Sequence, residues 1–252
     1  MIIDNLLGNI EKREDAVRDL KLSSACVGIF YTAVMLKNNY VGLCYTPKED
    51  IGHPAGRPRP SFRGAGALKT AQLANSLNMV DRAIGIATLN AISQYLMELE
   101  GYKRQFGIDV SDALKLHKQD RVAVVGYIRP LVEKLKVKVR ELHVLERNPQ
   151  MRGDALPDTL TETIVPKADV VIISGASMVN ATLDRLLELS REARLTAVVG
   201  PTASMLPEPL FQRGANVVAG VQAKGSKVLD AVGEANTFRD FKALVKKYVI
   251  KR

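Results

Sequence analysis

Four short segments hold most of the side chains that could do chemistry on a small ligand. They are Gly126-Tyr127-Ile128-Arg129-Pro130, Glu146-Arg147-Asn148-Pro149, Ser174-Gly175-Ala176-Ser177 with Asn180 and Thr182 just beyond, and Gly200-Pro201-Thr202-Ala203-Ser204. Their residues are small, or carry hydroxyl, amide or charged groups. Glycine lets a ligand come close to the backbone. Serine, threonine and asparagine can cap a helix start and leave N–H groups facing an anion. One such segment alone is an ordinary helix cap. It is their concurrence that argues for a polar pocket.

Glu146 is the sharpest single residue. It follows Gly126 by twenty positions, where dinucleotide-binding folds place an acid that accepts hydrogen bonds from ribose hydroxyls. The glycine fingerprint is missing, because Gly126-Tyr127-Ile128-Arg129 stands where G-x-G-x-x-G would be. Tyr127 and Pro130 would crowd a pyrophosphate. The residues leave open a nucleoside-like, pterin-like or phosphate-bearing ligand, and equally a structural pairing of Glu146 with Arg147 or a loop arginine.

Metal and nucleophile chemistry have less support. Cys26 and Cys44 sit in apolar, strand-like runs, with no CxxC and no Cys/His pair at metal spacing. They read as buried, reduced thiols, with a disulfide between them as the alternative. His53, His117 and His143 lie far apart. His143 falls mid-strand and reads as packed, while His53 lies in a loop from which it could reach a site. Glu146 and Asp154 could add oxygens. No GxSxG, HExxH or P-loop occurs, and no Ser-His-Asp arrangement suggests itself.

These segments need elements to hold them. From residue 121 onward, apolar runs of strand length alternate with helical stretches: RVAVVGY, PLVEKLKVKV, ELHVLERN, a helix near 158–166, ADVVIISG, ATLDRLLELSREA, LTAVVGP, PEPLFQRG and ANVVAGVQ, then helical segments to the end. Near-continuous Val/Ile runs predict strands covered on both faces. The alternation predicts a parallel sheet, with ligands bound beyond the carboxyl ends of its strands. Each candidate segment follows one such strand.

The first half reads differently. Residues 3–22 have near-helical apolar spacing. ACVGIFYTAVML (25–36) and YVGLCYT (40–46), joined by Lys37-Asn38-Asn39, predict a β-hairpin. Residues 47–66 hold four prolines and four glycines together with Lys48, His53, Arg57, Arg59 and Arg63, so nothing regular can form there. Helices follow near 68–77 and 81–100. The second is apolar on most faces and therefore buried, and a buried Asn90 must find hydrogen-bond partners. The polar stretch 101–120 holds the boundary, giving domains 1–112 and 113–252.

Composition sets the outer limits. The chain has 252 residues, 46% apolar and 25% charged, with net charge +9. That is ordinary globular composition. No apolar run is long enough for a membrane helix, and the acidic start MIIDNLLGNIEKRED lacks a basic signal-peptide region. The reading is therefore cytoplasmic, with no membrane partner. The positive charge favours anionic partners at long range. The basic residues are spread out, as at Lys134, Lys136 and Lys138 and in the tail Lys246, Lys247, Lys251 and Arg252, which argues against nucleic acid. A homo-oligomer is left open.

VAVVGYIRPLVEKLK, LERNP, ADVVIISGASMVNATLDRLLEL and VVGPTASMLPEPLFQRGANVVAGV, with YTAV, VGLCYT and GIATLNA before them, closely resemble the heavy-metal chelation family. The resemblance covers nearly the whole chain. It implies a smaller α+β, enolase N-terminal-like domain followed by a Rossmann-like α/β domain, a parallel sheet with helices on both faces. It also implies a site in the cleft between them, and a link to metal handling or anaerobic corrinoid synthesis. Carried onto this sequence, the site is lined by Gly126, Tyr127, Glu146, Asn148, Ser174, Asn180, Thr202 and Ser204, with Thr32, Arg63 and Asn90 from the first domain. The scarcity of Cys and His argues against chelation by side chains alone. A divalent metal held through a bound small molecule fits the composition better. An enzyme acting on a phosphorylated, nucleoside-like or pterin-like metabolite is the alternative.

Overall fold

The computed structural model describes residues 1–52 and 61–252. His53, Arg57 and Arg59 lie outside the described residues. In chain order the elements are α1 (Ile2–Glu11), α2 (Glu14–Val17), β1 (Leu22–Val27), β2 (Tyr31–Leu36), β3 (Tyr40–Tyr45), α3 (Ala67–Ala71) and α4 (Met79–Leu99). Then come β4 (Gln105–Phe106), α5 (Val110–Ala113), β5 (Arg121–Val125), α6 (Arg129–Lys136), β6 (Glu141–Glu146), β7 (Leu156–Pro157), α7 (Thr161–Ile164), β8 (Val170–Ser174) and α8 (Leu183–Leu189). The chain closes with β9 (Leu195–Val199), α9 (Glu208–Gln212), β10 (Val217–Lys224), α10 (Lys227–Gly233), α11 (Phe238–Phe241) and β11 (Val245–Lys251). The whole is a mixed α/β protein with a mostly parallel sheet. Among the described residues, no helix is long and apolar enough to cross a membrane.

The chain forms two compact units, and neither is a single stretch of sequence. The first comprises Met1–Tyr102, Ser204–Leu206 and Val221–Lys246; the second comprises Lys103–Ala203, Pro207–Gly220 and Lys247–Arg252.

In the first unit β1, β2 and β3 form an antiparallel meander, and β3 pairs antiparallel with Ala223 and Lys224 at the end of β10. The connector Lys37-Asn38-Asn39 closes with Asn39 at φ 69°, a conformation that asparagine tolerates better than most side chains. Helix α4 covers one face of this sheet. Its near-uniform apolarity is explained by burial, since every residue from Ala83 to Gln94 is buried. Ile84, Ile86, Leu89 and Ile92 each contribute roughly 1.5–3 kcal/mol by leaving water. The helix lies very close to the sheet because of Gly42. A Cβ there would stand 1.9 Å from the Ala87 carbonyl oxygen. On the other face, Tyr31 meets Phe241 edge-on at 5.5 Å between ring centres, and burial pushes its phenol far above the usual range.

In the second unit, β7, β6, β5, β8, β9 and the first residues of β10 lie side by side in that order, all parallel. The β5, β8 and β9 cores (Val122–Val124, Val170–Ile173, Ala197 and Val198) are almost wholly buried, as a sheet covered on both faces requires.

Two expectations are corrected. Residues 25–36 are not one strand. The Gly28 N–H bonds the Tyr31 carbonyl at 2.9 Å, a tight turn that separates β1 from β2. The C-terminal tail is not helical, because β11 pairs antiparallel with β4. Val245, Tyr248, Val249 and Ile250 are buried there, and β-branched and aromatic side chains of this kind favour a strand. The tail lysines therefore stand on a strand rather than on a solvated helix face.

Candidate functional site

The strand order of the second unit contains a reversal. From β5 the chain moves to β6 on one side, then returns to place β8 on the other. Such a topological switch point opens a crevice beyond the carboxyl ends of the two strands it separates. The turns after β5 and β8 therefore flank the expected ligand position, and those after β6 and β9 lie next on either side.

Two glycines bring these turns into contact. Gly126 has φ +97°, and a Cβ there would stand 2.6 Å from Cβ of Ser174. Gly175 would place a Cβ 2.6 Å from the Ala203 backbone nitrogen and 3.1 Å from the Thr202 carbonyl carbon. The positive φ suits glycine, and both contacts exclude any larger residue. The turn after β5 is thus pressed on the turn after β8, and that in turn on the turn after β9.

Glu146 joins the fourth turn. Its Oε2 accepts the Tyr127 N–H at 2.7 Å and its Oε1 accepts the Asn148 N–H at 2.8 Å. Each oxygen keeps a further lone pair. Among the described residues the carboxylate forms no ion pair with Arg147 or with Arg63 of the loop. It clamps two turns through their backbones. Arg152, which nothing in the sequence singled out, donates from Nε to the Glu146 backbone carbonyl at 3.2 Å and steadies the same turn.

Gly126, Tyr127, Glu146, Asn148, Ser174 and Asn180 are all half-buried, so each offers some surface to a ligand. Asn148 Oδ1 accepts the Gln150 N–H, and Ser174 Oγ caps the Ala176 N–H. Asn180 Oδ1 accepts both the N–H and the hydroxyl of Thr182, at 3.2 and 2.7 Å. The Asn180 amide NH2 donates to no described residue. Thr202 is buried.

The remaining candidates lie in the first unit. Ser204 is buried, with its hydroxyl accepting the Val221 N–H at 2.9 Å. Asn90 donates to the Leu43 carbonyl at 2.7 Å. Thr32 bonds Thr46, hydroxyl to hydroxyl, at 3.0 Å. Arg63 is exposed, and its backbone N–H bonds Ser61 Oγ.

Metal ligation by side chains finds no cluster. Among the described residues, no three His, Cys, Asp or Glu groups converge as an ion would need. Cys26 pairs across with Ala33, and Cys44 with Thr32, so the two thiols lie on opposite faces of the meander. Both are free. Burial, and to a lesser degree Asp230, pushes the Cys26 thiol up, away from the thiolate that binds soft metals. His143 is not packed as expected. It is partly exposed in the middle of β6, and its Nε2 meets Glu141 Oε1 at 2.9 Å. Asp154 is exposed.

Two family models match the chain, both described as "Putative heavy-metal chelation", one over residues 10–93 and one over 109–251. An uncharacterized protein of Methanocaldococcus jannaschii is 31% identical over 98% of this chain and 93% of its own length. A crystal structure from Pyrococcus horikoshii, of a protein of unknown function, superposes with a TM-score of 0.86 at 30% identity over 100% of both chains. Another, from Desulfitobacterium hafniense, has a TM-score of 0.82 at 26% identity, covering 100% of this chain and 98% of that one.

Proposed function

We propose, on the premise that this chain belongs to the heavy-metal chelation family, that the turns at the β5/β8 switch point hold a small polar molecule, and that a metal reaches the protein already coordinated by that molecule. The observation that carries this is the seating of Gly126 on Ser174 where the strand order reverses. Glu146 and Asn148 would meet hydroxyl or amino groups of the ligand on one side. Ser174 and Asn180 would meet them on the other.

The donor set argues for this arrangement over direct chelation. Soft metals select thiolate and imidazole ligands, and the described residues offer neither in a cluster. A ligand phosphate fits poorly beside β5. Pro130 has no N–H, the Tyr127 N–H is taken by Glu146, and the carboxylate itself repels an anion. Neutral or cationic hydroxyl- and amine-bearing groups fit better.

A thermal-shift screen with nucleosides, pterins and corrinoid precursors, each with and without divalent metals, tests this. A ligand at a hundredfold excess over its dissociation constant stabilises by about 2.7 kcal/mol. The expected result is stabilisation by an organic ligand, weakened in Glu146→Ala, with no response to metal ions alone. Tight binding of bare metal in calorimetry would contradict the reading.

A further inference from the structure

Numbered from β5 as the first, the parallel strands of the second unit lie side by side in the order 3-2-1-4-5-6. That is the order of sheets that bind dinucleotides. Such sheets use two devices. An acid at the tip of the second strand accepts ribose hydroxyls, and a glycine-rich turn after the first strand lets the pyrophosphate approach the backbone. This chain keeps the first device and lacks the second. Glu146 is the last residue of β6, the second strand. The Gly126 N–H bonds the Leu145 carbonyl at 2.8 Å, so the tips of the first and second strands stand level. The half-buried carboxylate is held by the Tyr127 and Asn148 amides, one on each oxygen. Both oxygens are thereby fixed, and each has a lone pair left. Two acceptors on one carbon match two hydroxyls on neighbouring ring carbons. Hydrogen bonds to a carboxylate are roughly twice as strong as those between neutral groups.

The amides after β5 show why a phosphate does not belong there. A phosphate site at a helix start needs several N–H groups aimed at the anion. The Gly126 N–H is taken by the Leu145 carbonyl, the Tyr127 N–H by Glu146, and the Ile128 N–H by the Gly126 carbonyl at 2.9 Å. Pro130 has none. Of the residues from Gly126 to Pro130, Arg129 alone has an N–H that no described residue accepts. A single amide beside a carboxylate is no cradle for an anion.

We propose that the ligand of the β5/β8 turns contains a ribonucleoside whose 2′ and 3′ hydroxyls donate to Glu146, and whose 5′ carbon bears a neutral or cationic group rather than a phosphate. This rests on the reading of those turns given above and narrows it to one chemical class. The acid fixes the ribose, and the used-up amides beside it exclude the nucleotides that the same strand order holds elsewhere.

The test is calorimetry on the full chain with adenosine, guanosine, cytidine and uridine, with their 2′-deoxy forms, and with their 5′-monophosphates. At least one ribonucleoside should bind. Its 2′-deoxy form should bind about tenfold more weakly or worse, through the hydrogen bond lost to a charged acceptor. Its 5′-monophosphate should bind no more tightly than the nucleoside. In Glu146→Gln the ratio of ribose to deoxyribose affinity should shrink toward one, which loosening of the turns alone would not produce. Should that variant fail to fold, the ribose, deoxyribose and monophosphate comparison on the unaltered protein carries the test. Equal binding of the 2′-deoxy form, or tighter binding of the monophosphate, would overturn the proposal. Binding of a pterin at these turns with no response to any nucleoside would overturn it and leave the broader reading of the turns standing. Silence from nucleosides, pterins and corrinoid precursors alike would overturn both.

Discussion

Along α4, Thr88, Asn90 and Gln94 have no exposed surface. Each donates to a backbone carbonyl: Ile84 at 2.8 Å, Leu43 at 2.7 Å and Ser204 at 2.6 Å. At the strand ends of the second unit, Glu146, Asn148, Ser174 and Asn180 are half open to solvent. There the oxygens accept N–H groups of their own or adjoining turns. The first set fastens buried backbone that would otherwise lose water without compensation. The second shapes turns at positions half open to solvent. Residues of similar type thus serve cohesion on a buried helix and, in the reading proposed above, reception at half-open strand ends.

The comparison can be broken where it is strongest. Gly42→Val should destabilise the first unit by about 3 kcal/mol or more, since the new side chain must displace the α4 backbone. Urea unfolding reads this, and a midpoint close to that of the unaltered protein would mean that α4 packs less closely than described. Asn90→Ala should cost about 2 kcal/mol, through a buried carbonyl left without its donor. Ligand binding at the β5/β8 turns should be unaffected by it.

Glu146→Gln should show the opposite balance. One of the two amides then faces an NH2 group instead of an oxygen, which costs about 1 kcal/mol. The same change should weaken binding of a screened ligand about tenfold. Equal losses in stability and binding for Asn90→Ala and Glu146→Gln would erase the distinction between the two regions.

The smallest expected effect concerns Asp109, which caps α5. Partial burial would raise its pKa, but hydrogen bonds from Lys134 and Ser111 outweigh this and hold it at about 2. A carboxyl depressed in the folded state stabilises above its unfolded pKa, and that contribution fades as pH falls through the folded value. The loss should therefore fall between about pH 4 and pH 2. Because the side chain is 39% exposed, solvent screening keeps the effect small. Asp109→Asn should flatten that part of a stability-versus-pH curve.

The strand-and-helix alternation of the second unit was legible because Val/Ile runs such as those of β5 and β8 carry an unambiguous burial signal. The four turns followed, since each strand end is marked by glycine or a small polar residue. The division of β1 from β2 was harder to read, because Val27 and Ile29 are apolar yet exposed and so extend the run. Strand β11 was missed because its lysines interrupt the apolar positions at helix-like spacing. The clamp by Glu146 depends on an amide nineteen residues away, which only the β5–β6 register brings near. The burial of Ser204 could not be read locally either, since its partner Val221 is set by chain packing rather than by neighbouring sequence.

The most direct test follows backbone amide resonances while the compound that raises the melting temperature most is titrated in. The account predicts that the largest shifts fall on Gly126, Tyr127, Asn148, Ser174 and Ala176. Shifts concentrated elsewhere, with these five unmoved, would contradict it.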